Sequence, residues 1–374
     1  MVDELDIEKP GALAAYLRAA GRIAAGEVPR IEILAGGVSN RTVLVELPSG
    51  EAWVVKQALG KLRVAVDWFS DPRRIEREAL GLKHLAEIAP PGAITPLIFE
   101  DPAHHLLAMR AVPRPHDNWK TLLLAGRIDP AHVEQFARLL GTIHRRGAER
   151  RVELGQTFAD PTFFESLRVE PYYRYTALQV PEAKAFLKDL IFETHVRQLT
   201  LVHGDYSPKN VLVREVGGGH KAVGGGRQEE APHGEAAAPP SSHSSFIIQH
   251  SALVLLDHEV IHFGDPAFDL GFSLTHFLSK GHHLPAHRAA FADAARLYWR
   301  TYRETLGEFR WTADLEAFAV RHTLACMLAR VAGRSPLEYL TPGQRAWQRA
   351  AVLTMIGGPP DGVDDLVDTF LIRE

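Results

Sequence analysis

The chain has 374 residues, 46% hydrophobic and 24% charged, enough for two lobes with separate cores. Its net charge of −4 offers no basic field for nucleic acid or an anionic membrane. No uncharged apolar run approaches membrane-spanning length, and Met1-Val2-Asp3-Glu4-Leu5-Asp6 lacks the basic and apolar parts of a secretory leader, so a cytoplasmic location is expected. The single Cys326 cannot form an intrachain disulfide and lies in the apolar stretch Thr323–Leu328, where a buried inert thiol is expected. The 19 histidines are scattered, and the pairs His104-His105 and His282-His283 lack partners at metal-ligand spacing.

The first element is a short helix over Pro10–Arg22, with proline in its first turn and Leu13, Tyr16 and Leu17 on one side. Three strands follow, Ile31–Leu34, Thr42–Leu47 and Ala52–Lys56, joined by short turns. The turn Gly36-Gly37-Val38-Ser39-Asn40 would offer backbone N–H groups to nucleotide phosphates, with Gly37, Ser39 and Asn40 as the candidates. It is not a G-x-G-x-x-G, and ordinary hairpin turns share its composition. Lys56 ends an apolar strand, either as a solvated strand end or as a phosphate-binding lysine held by a glutamate of the next helix. That helix is expected from Asp71 as cap and Pro72 as first residue to about Glu87, with Ile75, Ala79, Leu82 and Leu85 as its apolar stripe. Glu78 lies beside the stripe and is the expected partner of Lys56; Glu76 points to another face.

Pro90-Pro91-Gly92 breaks this helix, and a strand pair ends at His105–Val112. Pro113-Arg114-Pro115 then reads either as a connection between lobes, its backbone facing an adenine edge, or as a surface loop. A helix from Asp129-Pro130 to Arg146 is expected to close at Gly147, with Val133, Phe136, Leu140 and Ile143 buried. The aromatic cluster Phe163-Phe164 and Tyr172-Tyr173-Arg174-Tyr175 favours local packing over a substrate pocket.

The most informative stretch is Leu201-Val202-His203-Gly204-Asp205-Tyr206-Ser207-Pro208-Lys209-Asn210-Val211. Its H-x-D-x-x-x-x-N spacing matches the catalytic loop of kinase-fold phosphotransferases, where Asp205 would accept a hydrogen bond from the attacking hydroxyl and Asn210 would ligate Mg²⁺. Residues 215–249, rich in glycine, serine and proline, have the composition of a disordered insertion within a hairpin. Asn210 and Asp257 are 47 positions apart, and discounting those 35 residues leaves 12, enough for two strands and a turn. Val211–Val213 then pairs with Leu253–Leu256, which brings Asp257 beside Asn210. An aspartate leaving a buried strand needs a partner, and Asp257, with Glu259 nearby, suits a metal. Asp265-Pro266 resembles a helix start, and Asp269 is expected to buttress the loop rather than react. Only 12 positions join Asp257 to Asp269, too few for a segment that docks a protein substrate.

Together, His203-Gly204-Asp205 through Asn210, Asp257, and Gly264-Asp265-Pro266 through Asp269-Leu270 resemble the aminoglycoside phosphotransferase and choline kinase-like family. The resemblance implies an α+β, bilobal protein-kinase-like fold. Residues 1–112 would form a small nucleotide-binding lobe with an antiparallel sheet and one helix, and residues 113–374 a larger, mainly helical catalytic and substrate lobe. It implies ATP and Mg²⁺ as cofactors, Asp205 as the catalytic group, Lys56 and Glu78 on the phosphates, Asn210, Asp257 and Glu259 on the metal, and His203 and Asp269 supporting the loop. The partner would be a small molecule bearing a hydroxyl.

Val55-Lys56-Gln57-Ala58-Leu59, Arg74–Leu80 and Asp257-His258-Glu259 are similar to segments of the 5-methylthioribose kinases. Met327–Gly333 is similar to the segment carrying their substrate-binding arginine pair, which makes Arg330 a substrate candidate. Ala329 replaces the other arginine, and Arg334 stands one helical turn beyond. An aminoglycoside- or choline-type kinase is the alternative. A nucleotide-binding pseudokinase is the reading from another class, although such proteins usually lack one of the lysine and the two aspartates present here.

Overall fold

In the computed structural model, the described residues are 5–34, 38–63, 68–215 and 251–373. Helix α1 (Pro10–Ala19) buries Leu13 and Leu17. It stops short of the expected Arg22 because Gly21 takes φ +64° and the Arg22 N–H turns back onto the Leu17 carbonyl, five residues earlier. Strands β1 (Arg30–Ile33), β2 (Asn40–Glu46), β3 (Ala52–Ala58), β4 (Leu97–Asp101) and β5 (Leu106–Arg110) form an antiparallel sheet in the order β1-β2-β3-β5-β4. Trp53 and Val55 of β3 join Leu13, Leu17, Val43 and Phe99 in a core beneath α1. The two-residue side-chain period sends Val54 and Lys56 to the opposite face, where both line a cavity.

Helix α2 (Arg74–Ile88) covers the sheet with Ile75, Ala79, Leu82 and Leu85, all nearly inaccessible. It begins later than the expected Asp71 cap. The Asp71 carboxylate accepts the Arg73 N–H at 2.9 Å, and this local turn delays the helix to Arg74.

After β5 come β6 (His116–Asn118), α3 (Trp119–Leu124) and α4 (Pro130–Glu149). Val133, Phe136, Leu140 and Ile143 of α4 are fully buried. Gly147 does not close this helix. It lies within it, because a Cβ there would meet Thr200 Oγ1 at 2.5 Å and Leu201 N at 2.8 Å. The glycine thus serves close packing on the strand that feeds the loop at 203–210.

Helices α5 (Arg151–Thr157) and α6 (Thr162–Phe164), a π-helical segment (Glu165–Arg174), α7 (Tyr175–Gln179) and α8 (Lys184–Val196) lead to β7 (Thr200–Val202). Strand β8 (Val211–Glu215) pairs with β9 (Ser251–Leu255), Val211 opposite Leu255, and β7 pairs with β10 (His262–Gly264), Val202 opposite His262. These two antiparallel pairs set loop 203–210 beside loop 256–261. Past Glu215, the expected insertion lies outside the described residues.

The remaining helices are α9 (Pro266–His283), α10 (Arg288–Leu306), α11 (Leu315–Ala332), α12 (Pro342–Gly357) and α13 (Val363–Val367). Helix α9 is buried on every side from Pro266 to Gly281 and forms the axis of this part. The whole is the α+β, bilobal arrangement expected from the sequence. Among the described residues, no helix is long and apolar enough to cross a membrane.

Candidate active site

Loop 203–210 is held from behind by α9. Asp265 caps that helix through the Ala267 N–H at 3.0 Å. One turn on, Asp269 Oδ2 accepts the His203 N–H at 2.7 Å and Oδ1 accepts the Gly204 N–H at 2.8 Å. His144 of α4 reaches Asp269 Oδ2 at 3.3 Å and is itself 2.9 Å from the Tyr302 hydroxyl. Tyr206 stacks on Phe136 at 4.2 Å and donates to its carbonyl at 2.7 Å. Gly204 adopts φ +77°, and a Cβ there would lie 2.9 Å from the Val260 carbonyl oxygen.

These restraints fix Asp205, which is 2% exposed. Its Oδ2 receives Asn210 Nδ2 at 2.7 Å, Arg168 at 2.9 Å and Lys209 Nζ at 3.0 Å. Its Oδ1 is buried and has no hydrogen-bond partner among the described residues. Burial raises the carboxyl pKa, but Arg168 and Lys209 outweigh that and hold it below the usual carboxylate range. His203 Nδ1 accepts the Asp205 N–H at 3.2 Å, so the ring proton sits on Nε2, 3.1 Å from His258 Nδ1. Burial pushes both imidazoles towards the neutral form.

On the sheet side, Lys56 Nζ donates to Glu78 Oε1 at 2.6 Å and to Asp257 Oδ1 at 3.3 Å. Glu78 is fully buried, whereas Glu76 is exposed. Burial opposes the Lys56 charge, yet Glu78 and Asp257 hold its pKa above the ordinary lysine range. Burial likewise raises Asp257, and Lys56, Lys209 and Arg168 more than reverse this. Asp257 has φ +68°, a left-handed conformation that aspartate tolerates better than most residues. Its neighbour Leu256 donates its N–H to the Asn210 carbonyl at 2.9 Å, tying the two loops together.

Glu78, Asp257 and Glu259 can each bring a carboxylate oxygen within 4.8 Å of the other two. Glu259 Oε2 is bonded to Arg74 Nε at 3.0 Å and to Asn40 Nδ2 at 3.3 Å. The Ser39 carbonyl accepts from Arg74 as well. Gly37 lies outside the described residues. Glu78 Oε2 and Asn40 Oδ1 are buried and, among the described residues, unpartnered. An all-oxygen donor set with unpaired buried oxygens fits a hard divalent cation.

A cavity of about 780 Å³ starts at Lys56 and runs beneath the sheet. Leu44, Val54, Met109, Leu212 and Leu256 make its apolar walls, and Ala111–Arg114, including the Pro113-Arg114 connection, make its edge. This size and lining suit a flat aromatic group with a charged tail towards Lys56.

The model of the phosphotransferase enzyme family matches residues 30–223, more than half of the sequence. The chain belongs to the phosphotransferase enzyme family. Among solved structures, this family member resembles the ethanolamine kinase Pv091845 of Plasmodium vivax, with TM-score 0.51, 11% identity, and 93% of this chain and 89% of that one covered. It also resembles the amicoumacin kinase hAmiN in complex with AMP-PNP, Ca²⁺ and Ami, with TM-score 0.50, 11% identity and 89% of each chain covered. At such identities the likeness concerns the fold. No curated protein sequence matches the chain.

Three groups of the candidate site escaped the sequence reading. Arg168 lies in the aromatic segment expected to pack locally, yet it also binds the Gly204 carbonyl at 2.8 Å and Asp205. Its flanking Leu167 and Val169 were the available signal, since both are buried and carry Arg168 inward. Arg74 is fully buried and shares the Glu78 face of α2 at i,i+4 spacing, a pattern visible in the sequence. Lys209 stands four residues after Asp205 in the loop itself. Arg330 is buried beside the same aromatic segment, donating to the Tyr172 hydroxyl at 3.0 Å and the Ser335 carbonyl at 2.6 Å. Arg334 instead lies over the Tyr175 ring at 4.9 Å. Cys326 is buried, and burial raises its thiol pKa to about 12.

Proposed function

We propose that the protein transfers the γ-phosphoryl group of ATP, with Mg²⁺, to a hydroxyl of a small molecule. The observation that carries this reading is Asp205: one oxygen is saturated by Asn210, Arg168 and Lys209, and the other is bare. A hydroxyl donating to Oδ1 would be oriented for attack and would pass its proton to this carboxylate. Residues 1–112 would act as the nucleotide lobe and residues 113–374 as the catalytic lobe.

In this reading Lys56, fixed by Glu78, binds the nucleotide phosphates, and the cavity beneath the sheet takes the base. Asn210 and Asp257 hold the metal, with Glu259 assisting from its anchorage on Arg74 and Asn40. The bound metal would neutralise charge on the phosphates. The rate gain from the protein is chiefly alignment and electrostatic stabilisation, since phosphoryl transfer requires little covalent chemistry from it. Asp269 and His203 position the loop.

Presence of the lysine, both aspartates and the asparagine favours transfer over a binding-only protein. The acceptors worth testing include methylthioribose, from the sequence likeness, and ammonium-bearing alcohols such as ethanolamine, from the ethanolamine kinase. ATP consumption across such acceptors, with Asp205→Asn as control, tests the reading. The variant is expected to lose about 10³-fold in kcat while binding nucleotide within a few-fold of wild type. Undiminished turnover in Asp205→Asn would remove the mechanism.

A further inference from the structure

Around the C-terminal half of α9, the structure gathers basic side chains that outnumber the carboxylates among the described residues. Lys280 of α9 is fully buried, and among the described residues the hydrogen-bond partner of its ammonium is its own helix's His276 carbonyl, at 3.4 Å. Among the described residues, no carboxylate lies within ion-pair distance of Lys280 or Arg330. His276 is 3% exposed, and both of its ring nitrogens are unpartnered. The Tyr339 hydroxyl and Arg330 Nε are also buried and unpartnered.

One loop draws these groups together. Its Ser335 binds Arg330, its Tyr339 ring lies 5.4 Å from Lys280 Nζ, and its Glu338 pairs with Lys120 of α3. Arg330 also lies over the Tyr172 ring, as does the Arg168 that holds Asp205, so one ring links the cluster to the partner of Asp205. A buried unpaired ammonium is costly, and an arginine, a histidine and a tyrosine with free buried polar atoms add to that cost. The group missing from this arrangement is an anion.

Resting on the phosphotransferase reading above, we propose that the acceptor carries an anionic group, carboxylate or phosphate, bound between Lys280, Arg330 and His276, besides the hydroxyl that faces Asp205. An ammonium-bearing alcohol would be repelled by the same cations. Burial, with Lys120 and Arg330 adding and Glu338 opposing, lowers the Lys280 pKa to about 7. His276 and Tyr339 are the other titratable groups facing it, and burial keeps His276 neutral. An arriving anion therefore draws a proton onto Lys280 above pH 7, and its binding weakens as pH rises.

The test uses the full chain and a set of ribose derivatives that spans neutral, anionic and cationic members: ribose and methylthioribose, ribonate, ribose 5-phosphate, and 5-amino-5-deoxyribose. Binding is measured by calorimetry without nucleotide, and transfer is measured separately with ATP and Mg²⁺. Ribonate or ribose 5-phosphate should bind at least about tenfold more tightly than ribose, and the stronger of the two identifies the anion. At pH 8 that binding should take up a proton, seen as a heat that depends on the buffer. Lys280→Met, which replaces a buried amine by an apolar chain of similar length, should fold and lose both the preference and the proton uptake. Binding of both anions no tighter than ribose, or unchanged in Lys280→Met, overturns the proposal. Anion binding with no transfer to any acceptor would instead overturn the phosphotransferase reading and leave the anion site standing.

Discussion

Arg168 and Asp205 form a buried ion pair at 2.9 Å, and the same guanidinium holds the Gly204 carbonyl at 2.8 Å. One side chain thus fixes both the charge and the position of the carboxylate that the proposed chemistry uses. Arg168→Gln should raise the Asp205 pKa, because a compensating cation is lost while burial remains. The acid limb of the kcat profile should move up by about one pH unit. Unfolding stability should fall by less than the roughly 3 kcal/mol of a stranded buried charge, because Lys209 still pairs with Asp205. A pH–rate series and urea unfolding at pH 7 check the two effects.

Lys56 and Glu78 are expected to act as one unit. Lys56→Met and Glu78→Gln should each raise KM for ATP at least about tenfold, and the double variant should be little worse than either. A cycle built on kcat/KM should return a coupling of about 1–3 kcal/mol. Simple additivity would mean that Glu78 does not act through Lys56.

Gly204 has no room for a methyl group. Its φ of +77° and the 2.9 Å approach to the Val260 carbonyl should make Gly204→Ala cost at least about 2 kcal/mol, with loss of activity. Gly155→Ala in α5, where the nearest atom would be 3.8 Å from the new carbon, is the control and should change stability by less than about 1 kcal/mol. Denaturant midpoints separate the two.

His262 gives the fold an acid weakness. It is buried against Phe164, 3.9 Å between ring centres, and donates to the Val260 carbonyl at 3.0 Å. Burial lowers its pKa to about 4. The unfolded histidine titrates near 6.5, so on acidification the unfolded chain takes up its proton first. Stability from this group is full above about pH 6.5 and declines towards pH 4, by up to about 3 kcal/mol. Denaturant unfolding across that range should show the slope, and His262→Asn should flatten it.

The parts of this protein legible in its sequence rest on local periodicity and spacing. Alternation along β3 turns Lys56 away from the core beneath α1, and the stripe of α2 places Glu78 rather than Glu76 towards it. The loop spacing from His203 to Asn210 and the β8–β9 hairpin bring Asn210 near Asp257, because antiparallel pairing leaves few alternatives once the intervening segment is discounted. Helix boundaries were less legible: Gly147 reads as a terminator, but its role is set by a strand more than fifty positions away.

Tertiary structure alone decided which buried charges meet. Arg74 finds Glu259 across 185 positions and Arg168 finds the Asp205 loop across 36. Periodicity can turn an arginine inward, but its partner is fixed only when packed elements bring distant chain segments together. Lys280 shows the same limit from the other side. Its sequence places it on a helix, and only the burial of that helix on every side reveals a basic group with no carboxylate at ion-pair distance among the described residues.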